Sequence, residues 1–168
     1  IFGNDEIVAI FFEPKGGELD NETIALVRAI SERLDELENI DRVFSITTGK
    51  DVLRVDDSLV VEDLVPEREL TDDELAKVKN KLLNDELLGR IYMTSRSNGV
   101  MLTAQLVARR DFDQIRDQIN QEIFEIVHAE TEKYDLPVSF GGMGVMYTGL
   151  NKLTDADIAT TGALSYLV

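Results

Sequence analysis

Residues 100–141, VMLTAQLVARRDFDQIRDQINQEIFEIVHAETEKYDLPVSFG, carry the pattern that decides the fold. Val100 to Arg109 is an apolar run rich in β-formers and reads as a strand. Asp111 can then cap a helix running to about Tyr134, with Gln114 three residues on as the partner in a capping box. Phe112, Ile115, Ile119, Ile123 and Ile126 recur at three- and four-residue steps, so they share one helix face and turn it to a core. Pro137 to Gly141 is extended again, which completes a strand–helix–strand unit.

The first half of the chain repeats this plan. Glu6 to Glu13 encloses the run IVAIFF, too short for a helix and bounded by Pro14-Lys15-Gly16-Gly17, so it reads as a strand. A helix follows from about Asp20 to Glu38, with Ile24, Val27, Ile30, Leu34 and Leu37 on its inner face. Arg42 to Thr48 reads as the second strand, closed by Gly49. Two βαβ units of this kind interlock as an α+β, ferredoxin-like sandwich, a four-stranded sheet backed by two helices.

Residues 49–100 form an insertion between the units. Val52–Val55 and Ser58–Val65 flank Asp56-Asp57 and suggest a small hairpin that Pro66 ends. Thr71-Asp72-Asp73-Glu74 is a capping box that opens a helix through about Leu88, its apolar face made by Leu75, Val78, Leu82 and Leu83. Residues 91–96 are expected to pair with 100–108 around Ser97-Asn98-Gly99, where Asn-Gly is a strong hairpin signal.

Acidic residues outnumber basic ones 33 to 17, and the formal net charge of −16 repels phosphate backbones and anionic headgroups. That counts against a nucleic-acid or peripheral-membrane role. The absence of cysteine removes thiol nucleophiles, disulfides and cysteine-ligated metals. No stretch reaches the roughly 20 apolar residues of a complete membrane span. Thr154 reads as the cap of a new helix with Asp155 and Asp157 in its first turn, and the last nine residues, TTGALSYLV, extend it without a charge. With no initiator Met before Ile1-Phe2-Gly3, both ends are expected to be cuts from a longer protein.

Chemistry is not visible in the residue pattern. His128 is the only histidine, flanked one turn away by Glu125 and Glu132, and is expected to face solvent rather than act as base or ligand. In Phe140 to Gly149 the dinucleotide fingerprint fails because Tyr147 stands at its third glycine. The phosphate-loop pattern fails there too, with Leu150 and Asn151 in place of its lysine and hydroxyl. Glycine there serves a tight strand-to-helix turn. The acidic pairs Asp56-Asp57, Glu62-Asp63, Asp72-Asp73 and Asp155-x-Asp157 lack the ligand rhythm of a calcium loop, and no carboxylate pair is singled out for hydrolysis. Catalytic residues, metal ligands and cofactor contacts are therefore assigned to none of the chain. Met143, Met146 and Tyr147 are the candidates for a surface that meets apolar ligands, with packing on the sheet edge as the simpler expectation for them.

The order of motifs along the chain resembles the first extracytoplasmic loop of exporters in the resistance–nodulation–division (RND) superfamily, in the branch of MMPL-type and hopanoid or other lipid-related transporters. Phe2-Gly3-Asn4-Asp5-Glu6 running into a strand is similar to the family's FG-x-D/N-(D/E) entry. Leu34 to Ile46 resembles its L-x-x-(I/V)-x-x-V-x-S-(I/L) passage. Thr71–Asn84 resembles its L-T-x-x-E-L helix, and Gly89–Ser95 the passage that follows. Gly142-Met143-Gly144-Val145 stands where the family often has a G-x-P-V step, without the proline.

The resemblance implies a porter domain over residues 1–153, with residues 154–168 as the truncated start of the second transmembrane helix. It implies no enzyme activity and no cofactor, but a substrate path for hydrophobic or amphiphilic, lipid-like molecules in a proton-driven exporter. Its partners would be the rest of the same transporter, namely a second porter domain and the transmembrane helices, with homo-oligomerisation as a further option and no nucleic acid. The location implied is the cell membrane, with this domain facing the periplasm or exterior. The competing reading is a free-standing ferredoxin-like ligand-sensing or oligomerisation domain. An acidic, metal-dependent hydrolase is a third.

Overall fold

In the computed structural model, residues 6–55, 58–93, 99–151 and 153–154 are described. Ile7–Phe12 (β1), Ile40–Phe44 (β2), Val100–Leu106 (β5) and Val138–Gly141 (β6) form one sheet in the order β2-β5-β1-β6, and every neighbouring pair is antiparallel. The helices Asn21–Asp35 (α1) and Phe112–Thr131 (α4) make the two crossovers and pack on each other. This is the ferredoxin-like sandwich the repeat predicts. Alternation along the strands puts Val8, Ile10 and Phe12 of β1 and Val100, Leu102, Ala104 and Leu106 of β5 into the core. They meet Ile24, Val27, Ile30 and Leu34 from α1 and Ile119, Ile123 and Val127 from α4. Each of these side chains except that of Ala104 contributes about 1.5–3 kcal/mol by leaving water.

The element ends follow local chemistry. Asp20 accepts from the Thr23 N–H at 2.7 Å and starts α1, which ends at Asp35, short of the expected Glu38. Strand β2 stops at Phe44 rather than Thr48, because Ser45 to Thr48 close a turn of hydroxyl contacts, with Ser45 Oγ 2.9 Å from Ser31 Oγ of α1. Helix α4 does not carry the expected capping box. Arg109 donates to both oxygens of the Asp111 carboxylate, at 2.7 and 2.9 Å, and takes it away from the helix N-terminus. The α4 stripe is also shifted. Val127 is fully buried, while Ile115 and Ile126 are only partly covered.

The insertion holds a two-stranded sheet, Lys50–Val55 (β3) with Ser58–Asp63 (β4), paired from Lys50–Asp63 to Val55–Ser58. Leu64 and Val65, expected in the hairpin, instead leave it and bury in the core. Asp72–Asn84 (α2) carries the capping box as read, Thr71 Oγ1 accepting from Glu74 N–H and Glu74 accepting from Thr71 N–H. Leu83, expected on its inner face, is exposed. The helix breaks at Asp85, whose carboxylate accepts from Leu87 and Leu88 N–H and caps a second helix, Glu86–Tyr92 (α3). The expected strand at 91–96 is therefore helical through Tyr92. Met93 alone bridges to Val100 among the described residues, and residues 94–98, the hairpin tip, lie outside them. Asn21 ties the insertion to α1, donating to Leu70 C=O at 2.8 Å and accepting from Leu70 N–H at 3.0 Å.

Candidate functional site

After β6 the chain turns at Gly142 into a helix over residues 143–151, with 153 and 154 also helical (α5). Gly142 sits at φ +121°, and a Cβ there would lie 2.3 Å from the Ile7 carbonyl oxygen, so only glycine fits where this turn crosses β1. Helix α5 faces α4 with its small and polar side. Thr148 is buried, receives a hydrogen bond from Asn120 Nδ2 at 2.9 Å and donates to Asp117 Oδ1 at 2.5 Å. Gly144 is buried against Arg116. The Arg116 guanidinium lies between two rings, 5.0 Å from the Phe112 centroid and 5.3 Å from that of Tyr147, and pairs with Asp113 and, at 3.5 Å, with Glu6.

The large apolar side chains of α5 point the other way. Met143, Met146, Tyr147, Leu150 and Leu153 are 62%, 61%, 48%, 56% and 66% exposed. Steps of three and four residues place all five on one helix face. The expectation that Met143, Met146 and Tyr147 pack on the sheet edge is thus wrong: the inner side of α5 is taken by Gly144, Val145 and Thr148, which leaves the large side chains in solvent. Leu150 and Leu153 extend the stripe and were missed, although their spacing from Met146 was the signal. Arg116 was missed too, since nothing in its own helix period shows that Tyr147 will cover it. Thr154, expected to cap a new helix, is already inside α5 and donates to Leu150 C=O at 2.9 Å. Residues 155–168, including Asp155, Asp157 and the apolar run, lie outside the described residues.

Elsewhere the chemistry is sparse. His128 is exposed, its ring edge-on to Phe140 at 5.5 Å, as expected of a surface residue. Among the described residues no group of three His, Asp or Glu side chains is placed to hold a metal, and no helix is long and apolar enough to cross a membrane. Glu130 is buried where α4 meets α1. A hydrogen bond from Lys133 and a second from Arg33, at 2.5 and 2.6 Å, hold its carboxyl below the usual range against the opposing effect of burial. A separate cavity of about 370 Å³ lies between the segment that precedes α1 and α2, with Leu19, Leu82, Leu83 and Met93 in its wall. No protein-family model matches the chain, and no curated protein matches it significantly.

Proposed function

We propose that this chain is the first porter module of a proton-driven RND-type exporter of hydrophobic or lipid-like molecules. The observation that carries the reading is the α5 stripe. Five large apolar side chains stand in solvent on a helix whose inner side is pinned by Thr148 and Gly144. A folded domain exposes such a contiguous face where it meets apolar ligands or partners. Two features support the same reading: the ordered motif resemblance, and the interlocked βαβ units that such porter modules are built from. In this reading the domain is not an enzyme. It faces the periplasm or exterior of a cell membrane and pairs with a second porter domain and the transmembrane helices. Met143, Met146 and Tyr147, continued by Leu150 and Leu153, line the path or the seam along which cargo moves.

Methionine provides the test, because the chain has only four. Methyl-labelled methionine NMR during titration with the apolar probe N-phenylnaphthylamine should move the Met143 and Met146 signals together. Met101, on β5, should stay in place. If Met93 moves instead, the probe has entered the cavity beside α2, and the stripe is not the apolar contact surface. If no methyl moves at saturating probe, the substrate-path assignment of Met143, Met146 and Tyr147 is lost. The competing reading as an oligomerisation domain makes a different forecast: the same two methyls respond to protein concentration and not to the probe.

A further inference from the structure

A second, chemically different opening lies at the free edge of β2, where the sandwich meets the insertion. It is a cleft of about 600 Å³ between α1, β2, the start of β3 and α3. Three observations set it apart from an ordinary surface dip.

The first is a phenol with nothing to bind. Tyr92 is 6% exposed and lines the cleft, yet among the described residues its hydroxyl has no hydrogen-bond partner. The ring is covered while the hydroxyl stays within reach of the solvent in the cleft, so it is free to donate to a molecule held there. Burial alone pushes its pKa up, with no hydrogen bond to offset it.

The second is the residue that makes room for that phenol. Gly49 has no positive φ to require glycine, but a Cβ on it would lie 2.8 Å from Tyr92 Oη. Glycine at this position keeps the hydroxyl where it reaches the cleft.

The third is charge. Arg28 gives one N–H to the Pro66 carbonyl at 2.7 Å, and Arg42 lies over the Phe44 ring. Among the described residues neither arginine has a carboxylate partner, although carboxylates outnumber bases nearly two to one in this chain. Glu32, Asp35 and Glu67 line the same cleft and are equally without a cation. Opposite charges that share an opening without pairing leave both signs available to one ligand.

We propose that this cleft binds a small zwitterion, its anionic group held by Arg42, Arg28 and the Tyr92 hydroxyl and its ammonium group by Glu32, Asp35 and Glu67. The assignment does not depend on the exporter reading, since it uses a different face and different chemistry.

The experiment is amide NMR of the 168-residue chain titrated with glycine, γ-aminobutyrate and 6-aminohexanoate, three zwitterions of increasing charge separation. Butyrate and butylamine serve as single-charge controls on the γ-aminobutyrate skeleton. At least one zwitterion should shift the Gly49 and Tyr92 amides saturably, with Kd on the order of 1 mM or below, and each control should bind about tenfold more weakly. Arg42→Gln should weaken the zwitterion about tenfold and leave butylamine unchanged, while Glu67→Gln should spare butyrate and weaken butylamine. Tyr92→Phe keeps the ring in place and should cost a smaller factor. The proposal is overturned if no zwitterion gives a saturable shift at these amides. It is equally overturned if all five compounds act alike, or if the two charge variants bind as the parent does.

Discussion

Glu130 shows how one buried carboxylate can tie the two crossover helices together. It sits on α4, accepts from Arg33 of α1 and from Lys133 one turn on, and is itself almost wholly covered. Its partners are partly in water, so each contact is worth less than a fully buried pair. Glu130→Gln should therefore destabilise the fold by about 1–2 kcal/mol at pH 7. The sign of the pH dependence follows from the depressed carboxyl pKa. The contribution is present above the unfolded carboxylate value near ~4.3 and is lost as pH falls through the lower folded value. Denaturant midpoints of parent and variant should thus differ at pH 7 and converge below about pH 4. A gap that persists unchanged to pH 3 would mean that packing, not charge, is what Glu130 supplies.

At the scale of elements, α5 is an amphipathic helix turned inside out. Its small and polar residues face the protein and its methionines and leucines face water, a choice forced by two contacts. Thr148 must reach Asn120 and Asp117, and the helix must start where Gly142 crosses the Ile7 carbonyl. Gly142→Ala would place a methyl on that oxygen at a φ that alanine rarely adopts. The expected loss is about 2–4 kcal/mol in chemical denaturation. A change below about 0.5 kcal/mol would show that α5 can re-seat, and that its outward stripe is not fixed by this turn.

The whole molecule separates stability from surface. Its core lies between the sheet and the α1–α4 pair and continues into the insertion through Leu64, Val65, Val78 and Leu82, and the α5 stripe contributes none of it. Met146→Asp combined with Leu150→Asp should leave the thermal midpoint within a few degrees, because neither side chain is buried. The same double variant should abolish the response of Met143 to N-phenylnaphthylamine. Loss of folding instead would mean that the stripe is structural and would remove the main support for a porter surface.

How far the sequence could be read depends on what each feature rests on. The sandwich was legible because apolar periodicity is a local property: Ile24, Val27, Ile30 and Leu34 at helical spacing, and alternation in Val100–Leu106, can each be satisfied only by one face against a core. The capping box at Thr71 and Glu74 was legible for the same reason, since both partners lie within one turn. What the chain alone did not reveal involves competition for a single group, whether by a near neighbour or by a residue far along the chain. Arg109 outbids the α4 N-terminus for Asp111, Asp85 divides a helix whose apolar pattern looked continuous, and Arg116 finds Tyr147 some thirty residues later. The site follows the same rule. Sequence located Met143, Met146 and Tyr147 but not which way they face. That was decided by Gly142 against Ile7 and by Thr148 against Asn120, contacts between residues far apart in the chain. The local pattern thus fixed the two strand–helix–strand units, while the ends of several elements, the helical state of Ile91 and Tyr92 and the faces that the solvent sees were decided by contacts the pattern does not contain.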